Sequence, residues 1–311
     1  MSLRTKSTPL YVWAWAGGLF LLLQIIVHVY CHTVPNTDKL EFDALYEAME
    51  EDFAVEKKGE MKVVFVGSSL AKYGIQCPDE IYAYSLSSGN SPIRLSKIYG
   101  NGEPFKRMVT IHELIPKLAR LKPDLVCIQT ELALVNLENV GAQYKADSAM
   151  KAHTLKGQLE MRSWLNRRFF KEMLGEMGYK QKMNCVVKAG PSIQRLDTLS
   201  YLPQKRIIRS FGELSYVHEQ LQMLRDQGIK LAFVDVPQPA ALMEHIYPTE
   251  LEENRTAVLE EYQEKLGIEY WPYTGSPLGY KYFWDYSHLT VEGQQKYTQW
   301  LVDKIIEEGK N

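Results

Sequence analysis

The chain has 311 residues, with 36 Lys and Arg against 38 Asp and Glu and a formal net charge of −2. That balance gives no general electrostatic grip on nucleic acid, so no nucleic-acid partner is expected. No Cys-x-x-Cys pair, zinc-type ligand spacing or Gly-rich nucleotide loop stands out, and neither metal nor cofactor is expected.

Tyr11 to Tyr30 is a 20-residue stretch without a charged side chain, long enough to cross a bilayer as a helix. Tyr11, Trp13, Trp15 and Tyr30 suit the two aromatic belts. Arg4 and Lys6 precede the span, which orients the N-terminus to the cytoplasm and the rest outside. Residues 1–31 therefore read as a cytoplasmic tip and a signal anchor. A cleaved signal peptide is the alternative, but the run is long and no small-x-small site precedes Cys31. Residues 32–60 read as an acidic amphipathic stalk. Leu40, Phe42, Leu45, Tyr46, Met49 and Phe53 recur there at helical spacing, a face for the globular domain or a partner.

Residues 61–311 read as the globular domain. Lys62-Val63-Val64-Phe65-Val66 is a short apolar run entering Gly67-Ser68-Ser69, as a strand buried on both faces does before a helix. Ile81 to Leu86 is the expected second strand, followed by the turn Ser87-Ser88-Gly89-Asn90. Thr110 to Leu121 is an expected helix, distorted at Pro116. Leu125 to Gln129 is the third strand and Phe211 to Gln227 a helix. Lys230 to Val236 is the fourth strand and Thr249 to Leu266 a helix closed by Gly267. Ile268 to Trp271 is the fifth strand and Thr290 to Glu308 the last helix. Such alternation predicts an α/β fold, a five-stranded parallel sheet with helices on both faces. Residues of about 137–209 interrupt it. Within 151–209 there are thirteen Lys or Arg against four Asp or Glu, around an amphipathic helix with Trp164, Phe169 and Phe170. This insertion is either a docking surface for an anionic partner or a solvated hairpin over the sheet. Cys127 lies in an apolar run and reads as a buried thiol. Cys77 and Cys185 pair only if the compartment is oxidising, which sequence leaves open.

In open parallel sheets ligands sit at the carboxyl ends of the strands, which is where Ser68 and Ser69 fall. More than two hundred residues later comes Trp284-Asp285-Tyr286-Ser287-His288-Leu289-Thr290-Val291-Glu292-Gly293. A serine nucleophile needs a base, and the base needs a carboxylate to hold its tautomer. Asp285 and His288 supply both. Gly67-Ser68-Ser69-Leu70 with Asp-x-x-His-Leu-x-x-x-Gly resembles the SGNH/GDSL hydrolase superfamily over roughly residues 60–310.

The resemblance implies a flavodoxin-like three-layer sandwich, Ser69 as nucleophile, and His288 and Asp285 as base and orienter. Ser68 takes the place of the family's aspartate. It implies an oxyanion hole from the N–H of Ser69 with Ser87, or Gly89, at the family's second block. The third-block asparagine maps to Ala133, so that donor is missing; Gln129 and Thr130 are near enough in sequence to replace it or to bind substrate. The anchor, Gly-Ser-Ser and the degenerate third block look like the envelope-modifying branch. That branch is similar to alginate O-acetyltransferase proteins and the D-alanyl transfer protein of teichoic acid modification. It implies an O-acyltransferase that moves an acyl group, acetyl in the first instance, from a multi-spanning membrane O-acyltransferase to an extracytoplasmic polysaccharide. The rival readings are an anchored esterase of the same fold and a catalytically silent assembly subunit.

Overall fold

The structure, a computed structural model, describes residues 11–12, 14–15, 17–22, 25, 37–55, 59–89, 91–100, 105–136, 207–208, 210–240, 242–243, 248–285 and 287–309. The chain forms two compact units, Met1–Glu41 and Phe42–Asn311. In the first, the described residues between Tyr11 and Ile25 are helical and expose large apolar side chains, among them Trp15, Leu19, Phe20 and Leu21. Among the described residues no helix is long and apolar enough to cross a membrane. The span expected over Tyr11–Tyr30 is described only in part.

Helix α1 (Thr37–Ala54) enters the second unit, where Phe42, Leu45, Tyr46, Met49 and Phe53 are all buried in one core cluster. Burial of each is worth about 1.5–3 kcal/mol, so this face is part of the domain. Of the two expected roles for the stalk's apolar face, packing on the globular domain is the one seen from Phe42 onward. Lys117 fastens the same face by an ion pair to Asp43, with its ammonium 5.2 Å from the Phe42 ring.

The sheet takes β1 (Met61–Gly67), β2 (Ile93–Tyr99), β3 (Leu125–Gln129), β6 (Lys230–Val234) and β7 (Glu269–Trp271). Their order is β2-β1-β3-β6-β7, and every neighbouring pair is parallel. One apolar cluster on the sheet joins α1, α4 (Phe105–Ile111), α5 (Leu114–Leu121), α6 (Thr130–Leu134), α7 (Ser215–Arg225) and α8 (Thr249–Leu266). The other joins α2 (Ser69–Gly74), α3 (Pro78–Ser87) and α9 (Val291–Gly309). The result is a three-layer sandwich, as the alternation predicted. Two short strands, β4 (Val135–Asn136) and β5 (Ile207–Ile208), pair antiparallel. They close the base of the expected insertion, whose body lies outside the described residues.

Three expectations need correction. Ile81–Leu86 is helix: it lies inside α3, which starts with Pro78 at its first position and acidic Asp79 and Glu80 in the first turn. The Glu80 carboxylate accepts the Cys77 N–H at 3.2 Å, a start signal stronger than the strand propensity of the Ile-Tyr-Ala-Tyr stretch. The true second strand is Ile93–Tyr99, buried throughout although it holds Arg94, Ser96 and Lys97. Arg94 is paired with Glu60 and donates to the carbonyls of Asp52 and Val55. The helix expected over 110–121 breaks at His112–Glu113, where Glu113 adopts φ 53°. Pro116 sits in the first turn of α5, where a missing N–H is harmless. Phe211–Leu214 is a 3-10 turn ahead of α7.

Cys127 is a buried free thiol whose pKa burial pushes up. Cys77 is disulfide-bonded; Cys185, whose pairing with it the sequence leaves open, lies outside the described residues.

The step from β1 to α2 is tight. A Cβ on Gly67 would lie 2.2 Å from the Ala71 Cβ and 3.2 Å from Gln129 Oε1. Gly67→Ala should destabilise the protein by about 1–3 kcal/mol through overpacking. The urea midpoint reads this directly; an unchanged midpoint contradicts the close approach.

Candidate active site

β1 feeds β2 on one side and neighbours β3 on the other, so the sheet order reverses between β1 and β3. Crevices open at such switch points, outside the carboxyl ends of the strands. Gly67 ends β1 and Gln129 ends β3, and the two meet here. Ser68 leaves the strand with extended backbone and caps α2, its hydroxyl accepting the Leu70 N–H at 3.2 Å. Gln129 Oε1 accepts both the Ser68 N–H and the Ser68 hydroxyl, each at 2.9 Å. A single side chain, 2% exposed, thus fixes the turn that aims Ser69.

The second half of the site is the loop from Phe283 to Thr290. It folds back on itself through the Phe283–Leu289 bridge, and the Trp284 N–H donates to the His288 carbonyl at 3.0 Å. The Thr290 N–H reaches the Tyr282 carbonyl at 2.8 Å. Gly293 permits this packing, since a Cβ there would stand 2.4 Å from the Tyr282 carbonyl oxygen. Leu289 and Phe283 are buried and pin the loop to the core.

The two halves meet at one hydrogen bond. His288 Nε2 lies 3.1 Å from Ser69 Oγ. His288 Nδ1 lies 2.8 Å from Asp285 Oδ2 and 3.0 Å from Oδ1. With Asp285 ionised, Nδ1 carries the proton and Nε2 is left to accept from the serine. Asp285 Oδ1 also accepts the N–H groups of Ser287 and His288, each at 2.8 Å, and the Ser287 hydroxyl at 3.2 Å. Burial would raise its pKa. The His288 ring and the two N–H donors outweigh that and hold the carboxyl below the ordinary aspartate value. Trp284 stacks on the imidazole (centroids 5.2 Å, 18° between planes), and Tyr73 meets it edge-on at 5.1 Å. The base is therefore held in tautomer, plane and reach.

Ser69, His288 and Asp285 are brought together, with Gln129 at the turn beside them; Ser87 and Gly89 are not. Ser87 and Gly89 lie at the opposite end of the sheet. They end α3 just before β2 starts, and β2 then runs seven residues, roughly 20 Å, before Tyr99 reaches the level of Gly67. The Ser87 hydroxyl donates to the Tyr84 carbonyl, and Gly89 is a turn glycine with φ 71°. Gln129 is no substrate ligand through its Oε1, which Ser68 occupies. Thr130 is buried beside Asp235, whose pKa is raised by burial against the opposing pulls of Arg255, Tyr270 and Thr130. Ala133 is buried in α6 and offers no side-chain donor. Sequence reading missed the roles of Ser287 and Gln129. Asp-x-Ser was visible as an Asx turn; nothing in a linear sequence marks Gln129 as the partner of Ser68. Among the described residues no group of His, Cys, Asp or Glu is placed to hold a metal.

No family model matches the chain, and no curated protein matches it. Solved structures it is similar to include a GDSL-like lipase of Bacteroides thetaiotaomicron, at 14% identity over 86% of this chain and 98% of that one, with a TM-score of 0.41. A Clostridium thermocellum family 3 carbohydrate esterase gives 11% identity over 81% and 100%, with a TM-score of 0.42. A carbohydrate acetylesterase family member of Sinorhizobium meliloti gives 10% over 79% and 97%, with a TM-score of 0.37. Likeness this distant carries no weight of its own, and the chemistry has to rest on the atoms of the site.

The Ser68–Gln129 pair can be tested by a double-mutant cycle on reaction of the protein with a serine-directed fluorophosphonate. Ser68→Ala and Gln129→Met should each slow labelling, and together cost clearly less than the sum of the two because they break one contact. Strict additivity would show that Gln129 does not act through Ser68.

Proposed function

We propose that the protein is a membrane-anchored SGNH-type serine O-acyltransferase acting outside the cytoplasm. The observation that carries the reading is the relay Ser69–His288–Asp285, with bonds of 3.1 and 2.8 Å between groups 219 and 3 residues apart. In the first step Ser69 Oγ attacks the carbonyl carbon of a donor acyl group while His288 Nε2 takes the hydroxyl proton. The tetrahedral intermediate expels the donor's leaving group, which recovers that proton from His288. In the second step an acceptor hydroxyl gives its proton to His288 and attacks the acyl-serine; the intermediate expels Ser69 Oγ, which takes that proton back from His288, and the new ester is released.

Transfer rather than rapid hydrolysis is supported by the oxyanion site. The N–H of Ser69, at the first position of α2, has no helical carbonyl to bond and suits the developing oxyanion. The Ala133 position supplies no second donor, and the Gly100 N–H is spent on the Gly67 carbonyl at 3.1 Å. Loss of one donor costs about 10²–10³ in rate, which leaves a site that depends on a presented donor and a bound acceptor. The rings of Tyr73 and Trp284 beside the base suit the apolar face of a sugar, in keeping with a polysaccharide acceptor. The disulfide at Cys77 fits an oxidising compartment. The exposed apolar helical residues between Tyr11 and Ile25 fit an anchor. A multi-spanning membrane O-acyltransferase is the proposed acyl donor and acetyl the proposed group. The missing donor equally favours a catalytically silent assembly subunit, which the formed relay opposes; an esterase would use the same relay with water as acceptor.

Assay of the purified protein on an activated acetyl ester, with and without an oligosaccharide, separates these readings. Acetylated oligosaccharide, formed faster than free acetate, is the expected result. Acetate alone makes the protein an esterase, and no turnover of either kind makes it the silent subunit. Ser69→Ala and His288→Ala should each abolish transfer without additive effect, and Asp285→Asn should cost less than either but still orders of magnitude. A reporter fused to the C-terminus tests the anchor and should be active only outside the cytoplasm; cytoplasmic activity overturns both localisation and acceptor.

A further inference from the structure

Lys97 stands in the middle of β2 on the face shared with Ile93 and Leu95, towards α2, α3 and α9. It is 1% exposed. Its Nζ donates to the Ile75 carbonyl at 2.6 Å and to the Lys72 carbonyl at 3.3 Å. Both carbonyls belong to the carboxyl end of α2, the helix that Ser69 opens. Burial, with the charge of Lys72 close by, lowers the Lys97 ammonium to about 7, and Glu80 pulls the other way. An apolar residue of the same length would be cheaper to bury here.

The same Ile75 carbonyl accepts the Gln294 amide N–H at 2.9 Å, and the Gln76 N–H donates to Thr298 Oγ1 at 2.9 Å. Gln294 and Thr298 are buried, one turn apart on α9, the helix that begins three residues after His288. Directed hydrogen bonds therefore tie the segment that carries Ser69 to the segment that follows the base, one short helix away from the reacting atoms. α2 is six residues long, roughly 9 Å, so a tilt at its carboxyl end moves Ser69.

We propose that Lys97, with Gln294, is a positioning clamp that holds the carboxyl end of α2 and so sets the reach between Ser69 and His288. The inference rests on the reading of Ser69 as nucleophile. Lys97 touches no reacting atom; it acts through the carbonyls of Lys72 and Ile75.

The test is Lys97→Met in the full chain, with three measurements: thermal midpoint, amide hydrogen exchange over residues 72–76, and the rate of fluorophosphonate labelling. The clamp predicts an unchanged or higher midpoint, faster exchange over 72–76, and labelling slowed roughly 10- to 100-fold. Unchanged exchange in the folded variant overturns the clamp. Faster exchange with an unchanged labelling rate also overturns it, as local stability without effect on the site. If wild type itself fails to label, the nucleophile reading falls, and the exchange result still decides whether Lys97 holds α2. Should Lys97→Met not fold, Gln294→Met removes the second donor to the same carbonyl and is read by the same criteria, with the same results for and against.

Discussion

The site depends on how closely α2 sits against the carboxyl end of β1. Gly67 has no Cβ, and any side chain there would overlap Ala71. Because the helix starts so close to the strand, Ser68 is within reach of Gln129 on the neighbouring strand, and its hydroxyl can cap the helix at the same time. Ser69 then faces the loop that precedes α9. The His288–Ser69 hydrogen bond spans 219 residues of sequence, and neither residue holds it alone. Apolar burial of Leu70, Ala71, Phe283, Leu289 and Tyr297 in one cluster brings the two segments together.

Polar groups inside this domain are placed where they hold backbone, and that explains an uneven reading from sequence. β1, β3 and α8 were legible because each gives a clean signal: a continuous apolar run, or a helical pattern closed by Gly267 in the left-handed region. β2 was not legible, because Arg94, Ser96 and Lys97 break its apolar pattern. Only in three dimensions do Glu60 and the carbonyls of Asp52, Val55, Lys72 and Ile75 appear as the partners that make their burial tolerable. The expectation of oxyanion donors at Ser87 and Gly89 follows from the misplaced β2; both lie a full strand length from the nucleophile. The helix start at Cys77-Pro78-Asp79-Glu80 would have prevented that error. The relay itself was legible because Asp285 and His288 are three apart, and a local turn suffices to join them. The contact of Gln129 with Ser68 is not legible in the sequence, since it joins residues 61 apart.

Hydrogen bonds inside the site hold the Asp285 carboxylate against the imidazole. Asp285 is half-buried yet stays ionised, because two backbone N–H groups and the imidazole supply what water would have supplied. Cys127, the nearest candidate for rival nucleophilic chemistry in the sheet, is disarmed by burial. Neither the Ala133 side chain nor the Gly100 N–H serves as a second oxyanion donor. A transferase with a presented donor and a bound acceptor tolerates that lack better than a general esterase does, since positioning can supply part of the missing barrier reduction.

The most direct measurement is peptide mapping of the fluorophosphonate-treated protein by tandem mass spectrometry. The peptide that contains Ser68 and Ser69 distinguishes the two adjacent hydroxyls. The relay predicts one adduct, on Ser69, absent after His288→Ala in a folded protein. An adduct on Ser68, or no adduct in folded wild-type protein, would contradict the assignment of Ser69 as the nucleophile.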